Sequence, residues 1–529
     1  MTKTRFSSLL AALLGCLGAS GAVASPPAVL PGSAALGDSG RGVVAERQSR
    51  DGDIRALQRD LRDRSPERRR GAVRRLLERG DVAALDLVLE ALADVDGMVA
   101  DEAQLGLPGF GIDGALARVL GKGGLRSKDP WTARRAAEAL GRWDGDVPLK
   151  PLAAALDRRR PELARAVLWS IERLAIVGRL DAAGRGDPWR DIVALTRKGA
   201  PDPVRAAALA ALAAGAPGRV EETLKALGRG VGPEVRAAAL AVTLDLGLGD
   251  GTRALTAALS DGTPSIRAFA ARLAATRADR SVLVAMAERL ELEPRPCIKD
   301  AVARGLAEAT GLKHGMHVPS WRRAVEELPG SWRPVEEAPS TERAADPVGQ
   351  SVAALGRMDP RSDRLAILVD FSGSLWNQRD DGTRRKDALD PQVEALLGAL
   401  DGEARFLLVP YTADNHPFEE EPVEATTRNV GRAQEFFRRA TMRGKGDVWG
   451  AFELALSLDE IDRIVVVTDG APTGGRHWNI GLIGDLLVER TRFRPVTVDM
   501  VLLDASRGLQ RRWAAVVDRL GGRLMALDR

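Results

Sequence analysis

The sequence predicts a two-part fold, an α-solenoid of helical repeats followed by an α/β doubly wound, Rossmann-like domain. Three observations lead there. A short phrase built on Pro, a β-branched residue, Arg and Ala recurs about every thirty residues in the first two thirds. Beyond residue 360 the pattern changes to short apolar runs alternating with amphipathic segments, the signature of a parallel sheet covered on both faces. The chain is also too long for one small module, with 529 residues at 45% apolar and 28% charged, an ordinary globular composition.

The chain begins with Lys3 and Arg5, then an apolar run from Leu9 to Leu17 closing on Ala22-Val23-Ala24 before Ser25. A basic start, a short apolar core and a small-residue site read as an export leader over 1–24, placing the mature chain in the periplasm, the cell envelope or the medium. Leu13-Leu14-Gly15-Cys16 resembles a lipobox, which would instead leave a lipidated Cys16. No later stretch stays apolar long enough to span a bilayer. Residues 25–50 carry no periodic pattern and are expected to be disordered.

The array is expected over 51–325. Its clearest copies are Asp202-Pro203-Val204-Arg205-Ala206-Ala207-Ala208, Gly232-Pro233-Glu234-Val235-Arg236-Ala237-Ala238-Ala239 and Thr263-Pro264-Ser265-Ile266-Arg267-Ala268-Phe269-Ala270. Weaker copies start at Pro66, Asp96-Gly97, Pro130, Pro161 and Pro296. Pro is tolerated in a first helical turn, so each phrase opens a helix. Val204, Ala207, Ala208, Ala211 and Leu212 recur at helical spacing and define a small apolar face, with the Arg toward solvent or a neighbouring loop. These phrases resemble HEAT-like (armadillo-type) repeats. That resemblance implies stacked helix pairs, a curved interaction surface, and a scaffold more than a catalyst.

Two matches inside the array are set aside. Gly109-Phe110-Gly111-Ile112-Asp113-Gly114 fits a dinucleotide loop but follows no buried strand. Asp94-Val95-Asp96-Gly97 lacks the later oxygen donors of a calcium loop, since Met98 and Leu105 stand where they would be needed. With four His, two Cys and no paired-Cys motif, zinc chemistry is not expected.

A Pro- and Glu-rich linker over 326–360 leads into the 361–529 domain. Strands are expected at Leu365–Val369, Phe406–Val409, Ile464–Val467 and Val496–Val501, with ligands at their carboxyl ends. The first runs into Asp370-Phe371-Ser372-Gly373-Ser374, and the third into Thr468-Asp469-Gly470. This Asp-x-Ser-x-Ser loop with a later strand-end Asp resembles the von Willebrand factor type A (VWA) domain and its metal-ion-dependent adhesion site (MIDAS). The resemblance implies a divalent cation, Mg2+ or Mn2+, held by Ser372 and Ser374 hydroxyls with Asp370 and Asp469 behind them, and completed by an acidic side chain of a protein partner. The family's Gly-x-Thr reads Gly444-Lys445-Gly446 here, so water or Asp447 is expected in place of the Thr, and Lys445 stands close enough to repel the ion.

Trp376, Trp449 and Trp478 are expected around a partner-binding rim, with Tyr411, His416 and His477 nearby. Packing between helices and loops is the competing reading for these rings. Glu419-Glu420-Glu421 reads as a solvated turn. The 361–529 region holds 24 basic and 27 acidic side chains, which leaves 53 basic and 46 acidic upstream, and neither balance compels a nucleic-acid partner. The expected function is an exported, non-enzymatic protein-binding or adhesion scaffold. The alternatives are an extracytoplasmic assembly factor and a metal-assisted or serine hydrolase. For a serine hydrolase, Ser372 or Ser374 would need His416 or His477 as base, without a Gly-x-Ser-x-Gly elbow.

Overall fold

The computed structural model describes residues 53–183, 186–228, 230–333, 352–378 and 382–527. The expected leader, Cys16, the 25–50 segment and the middle of the linker lie outside the described residues. Among the described residues no helix is long and apolar enough to cross a membrane.

All eight phrases open helices: Pro66–Arg79, Gly97–Gly106, Pro130–Leu140, Pro161–Ile176, Asp202–Gly215, Pro233–Asp245, Pro264–Arg277 and Pro296–Thr310. Their starts are fixed by chemistry that the sequence carries. Ser65, Asp96 and Asp129 accept backbone N–H bonds of the first turn at 3.3, 3.0 and 2.7 Å, while Pro removes a donor that would have no partner there. Successive phrase helices pack side by side through their Ala faces. A further helix lies between each successive pair, such as Val82–Ala91, Leu149–Ala154 and Trp189–Leu195, and the wider step between Pro161 and Pro203 also holds the two-residue strand Leu180–Asp181.

Two of the three arginines in the clearest copies, Arg205 and Arg267, are buried and brace loops, while Arg236 is partly exposed and pairs with Asp261. Arg205 is buried, with Nε donating to the Thr196 carbonyl at 3.1 Å and Nη1 to Asp202 at 2.8 Å. Arg267 is buried against Glu293, at 2.7 and 2.8 Å, and also donates to the Asp261 carbonyl. Each therefore satisfies a carbonyl of the preceding turn, and Arg267 also the buried Glu293 carboxylate that follows the next helix.

The second region is a six-stranded sheet. Its strands are β1 (Arg364–Asp370), β2 (Arg405–Tyr411), β3 (Val423–Glu424), β4 (Arg463–Thr468), β5 (Thr497–Leu503) and β6 (Leu524–Leu527). The spatial order is β3-β2-β1-β4-β5-β6, parallel throughout except for β3 against β2. β1, β2, β4 and β5 are buried almost end to end, as both faces are covered by helices. The four expected strands are all present. The sequence reading did not include β3 and β6.

The two regions pack against each other along the starts of the phrase helices. Asp101 lies in the Gly97–Gly106 helix and is 3% exposed. It accepts from Arg135 at 2.8 Å and from the backbone N–H groups of Trp478 and Asn479 at 2.7 Å each. Further along, Arg165 pairs with Glu489, Arg492 with Glu172, and Arg463 with Asp300, at 2.6 to 3.0 Å. The Gly97 N–H donates to the Gly475 carbonyl at 3.0 Å, and a Cβ on Gly97 would stand 2.6 Å from Arg476. Glycine is thus required there for close approach. The array's face expected to await an external partner is, at these helix starts, occupied by the chain's own sheet domain.

Candidate functional site

The central strand of the sheet ends on Asp370, and the chain then turns through Ser372 and a 3-10 turn, Gly373–Trp376. This position is at the carboxyl edge, flanked by the ends of β2 and β4. The backbone N–H of Ser372 donates to Asp370 Oδ1 at 2.8 Å, and the Thr468 hydroxyl donates to Oδ2 at 2.8 Å. Ser372 Oγ and Ser374 Oγ lie 3.1 Å apart. Asp469 follows β4, partly exposed, and its Oδ1 accepts the Ala471 N–H at 3.2 Å. The turn is held from the other side by a parallel bridge between Ser372 and Gly444.

Asp370 is 6% exposed. Burial pushes its carboxyl above the usual range, and the charge of Asp469 adds to the shift, against the hydrogen bonds from Ser372 and Thr468. Among the described residues no Lys, Arg or His forms an ion pair with Asp370 or Asp469. The cluster is therefore two hydroxyls and two carboxylates carrying negative charge without a cationic side chain. That all-oxygen set suits a hard divalent cation. Among the described residues no group of three or more His, Cys, Asp or Glu gathers in a way that could hold a metal ion.

Asp447 is placed differently from the expectation. Its Oδ1 accepts the Gly450 N–H at 2.9 Å and caps the helix Val448–Ser457, and its own N–H donates to the Thr412 carbonyl at 2.8 Å. A Cβ on Gly475 would stand 1.9 Å from that carboxylate, so the Asp447 oxygens lie against the Gly475 backbone. Gly446 presses on Asp370: a Cβ there would come within 2.9 Å of Oδ1. A threonine would not fit without displacing the carboxylate. The Gly446 N–H instead donates to the Thr473 hydroxyl at 2.8 Å. Lys445 reaches away toward Asp96, at 3.5 Å, and lies 5.7 Å from the Trp478 ring centre.

The expected rim divides. Trp376 and Trp478 are half-buried at the edge of the site, with Arg443 over the Trp376 ring at 4.3 Å. Trp449 is not a rim residue; it is 1% exposed and packs into the core beneath the sheet, 5.4 Å from the His477 ring. Tyr411 is fully buried, and burial followed by the nearby Asp370 charge raises its pKa. His416 Nε2 lies 3.2 Å from the Thr412 hydroxyl. His477 is buried with Nδ1 3.2 Å from Asp101. Neither forms a hydrogen bond with Ser372 or Ser374 among the described residues.

Thr468 and Thr473 were not picked out as site residues by the sequence reading. Thr468 could have been found, as the strand-end hydroxyl directly before Asp469. Thr473 lies in a loop with no local signal, and only the fold brings it over Gly446.

No family model matches the chain, and no curated protein matches it in sequence. Solved structures that resemble parts of it include a von Willebrand factor type A protein from Catenulispora acidiphila, at 16% identity and a TM-score of 0.26. That match covers 31% of this chain and 38% of the other, so the chain spans well under half of that protein. An aerotolerance-related membrane protein from Bacteroides fragilis matches at 14% identity and a TM-score of 0.24, over 31% of this chain and 91% of its own. The Ro protein of Deinococcus radiodurans matches over 90% of this chain and 88% of its own, at 16% identity and a TM-score of 0.19. These scores are too low to bear on function.

Proposed function

We propose that the chain is an exported, non-enzymatic protein-binding scaffold whose sheet domain engages a partner through a divalent cation at Ser372, Ser374, Asp370 and Asp469. The observation that carries this reading is the uncompensated charge of Asp370 and Asp469 beside two hydroxyls at 3.1 Å spacing. Bound Mg2+ or Mn2+ would supply positive charge to attract a carboxylate from the partner. The protein's own residues set that chemistry. Ser372 and Ser374 would hold the ion, while Asp370, already engaged by Ser372 N–H and the Thr468 hydroxyl, would act from behind. Asp447 is left out of this ligand set because its carboxylate caps a helix. Trp376 and Trp478 would border the partner's footprint.

The helical region is read as a HEAT-like solenoid that frames the sheet domain, and any surface it offers to a partner lies away from the helix starts that meet that domain. The test is selection of random displayed peptides on the protein in magnesium and in chelator. Wild type is expected to enrich Asp- or Glu-bearing peptides only in magnesium, and Ser372→Ala with Ser374→Ala to enrich none. Enrichment that persists in chelator, or that ignores carboxylates, would contradict the reading.

A further inference from the structure

At the opposite edge of the sheet from Asp370, a cleft of about 460 Å³ separates the starts of β4 and β5 from the last phrase helices. Arg272 and Arg304 both line it. They occupy equivalent places, each eight residues after the opening proline of its helix (Pro264 and Pro296), on two helices that pack side by side. In the preceding copy, Ala241 stands at that place, eight residues after Pro233. The place is variable along the array, with Arg74, Glu138 and Trp169 in early copies and Ala211 and Ala241 in the two that precede Arg272, and the last two copies fill it with a pair of like charges.

Neither guanidinium is fully matched. Arg272 forms no ion pair among the described residues, and its one hydrogen bond is a long 3.5 Å contact to the Arg519 carbonyl. The surrounding protein and the neighbouring Arg304 push its pKa down to about 10, against the pull of Glu308, although solvent reaches the side chain through the cleft mouth. Arg304 Nε lies 3.4 Å from the Asp300 carboxylate and donates to the Asp300 carbonyl at 3.4 Å. That carboxylate is already committed to Arg361 at 2.7 Å and Arg463 at 2.8 Å. The terminal nitrogens of Arg304 lie beside Gly521, where a Cβ would stand 2.4 Å from Nη1, and they form no hydrogen bond among the described residues. Like charges brought together in a cleft repel unless an anion sits between them, and the planar fork of Arg suits an oxyanion.

We propose that this end of the cleft binds an oxyanion, the phosphate or carboxylate group of a small molecule, between Arg272 and Arg304. The other end carries Glu234 and Asp459 together with Arg494, which lies 3.6 Å from Asp459, so charges of both signs line it and a long polyanion does not fit.

The test is calorimetric titration of the full chain with inorganic phosphate and, separately, with succinate, each at constant ionic strength against chloride. One of the two is expected to bind saturably at one site per chain, and which one does so assigns the group as phosphate or carboxylate. Arg272→Gln, at a solvent-reached position, and Arg304→Gln are each expected to weaken binding by about tenfold or more, the loss of one charge-assisted hydrogen bond. Arg190→Gln, a surface arginine that is 83% exposed in its side chain, is expected to leave it unchanged. Absence of saturable binding of either anion, or equal affinity in Arg272→Gln and wild type, would overturn the proposal. So would an equal loss in Arg190→Gln.

Discussion

Asp370 was identifiable in the sequence because a carboxylate and two hydroxyls on alternate residues follow an apolar run without a break, so the motif and its place at a strand end are read together. Trp449 was misplaced for a local reason. Asp447 caps the helix, which puts Trp449 in its first turn on the face that meets the sheet. The raised pKa of Asp370 has a consequence that can be measured. A carboxyl whose folded value lies above its ordinary 3.8 leaves stability intact below that value and costs stability as pH rises through the folded value. At neutral pH in chelator, Asp370→Asn is therefore expected to unfold at higher urea than wild type, with the gain shrinking as pH falls toward 4. Adding magnesium is expected to stabilise wild type and leave the variant unmoved. A variant less stable than wild type in chelator at pH 7 would show that the charge is compensated by other means.

At the scale of elements, the phrase helices were legible because their ends are set by local chemistry, Pro in the first turn and Ser or Asp before it. β3 and β6 were not, being two and four residues long at the two edges of the sheet, too short for a periodic signal. Trp478 is expected at a rim, and its half-buried ring lies there, while its backbone N–H and the adjacent His477 ring, in the loop that joins β4 to the next helix, are held on the helical region by Asp101. His477 there has its pKa lowered, first by burial and then by the charge of Arg135, against the pull of Asp101. Nδ1 lies 3.2 Å from Asp101, which can only accept, and 3.5 Å from Arg135, which can only donate, and burial favours the neutral ring. The unfolded chain takes up a proton below about pH 6.5 while the folded ring resists it until a lower pH. Stability is thus complete above that value and declines as pH falls, by up to about 1.4 kcal/mol per pH unit from this one group. His477→Gln is expected to flatten the decline between pH 6.5 and 5 in urea unfolding. An unchanged pH profile would contradict the assignment.

At the scale of the whole molecule, what the sequence did not disclose is that its two regions hold one another. The pairs that do so, Arg135 with the His477 loop, Arg165 with Glu489 and Arg492 with Glu172, are separated by more than 300 residues. Each is an ordinary surface charge when read locally, and only the three-dimensional path of the chain turns it into a contact. Removing one partner of such a buried pair leaves an uncompensated charge, so the seam depends on all of them being kept together. The seam also leaves the carboxyl edge of β1 partly open, at Gly373, Ser374 and Asp469, which is what a cation-dependent docking site needs. Titration of the protein into Mn2+, following the free-ion electron paramagnetic resonance signal, addresses this directly. Wild type and Asp447→Ala are expected to bind one ion per chain with similar affinity, and Ser372→Ala with Ser374→Ala to bind on the order of tenfold more weakly or not at all. No saturable binding by wild type, or undiminished binding by the double serine variant, would contradict the account.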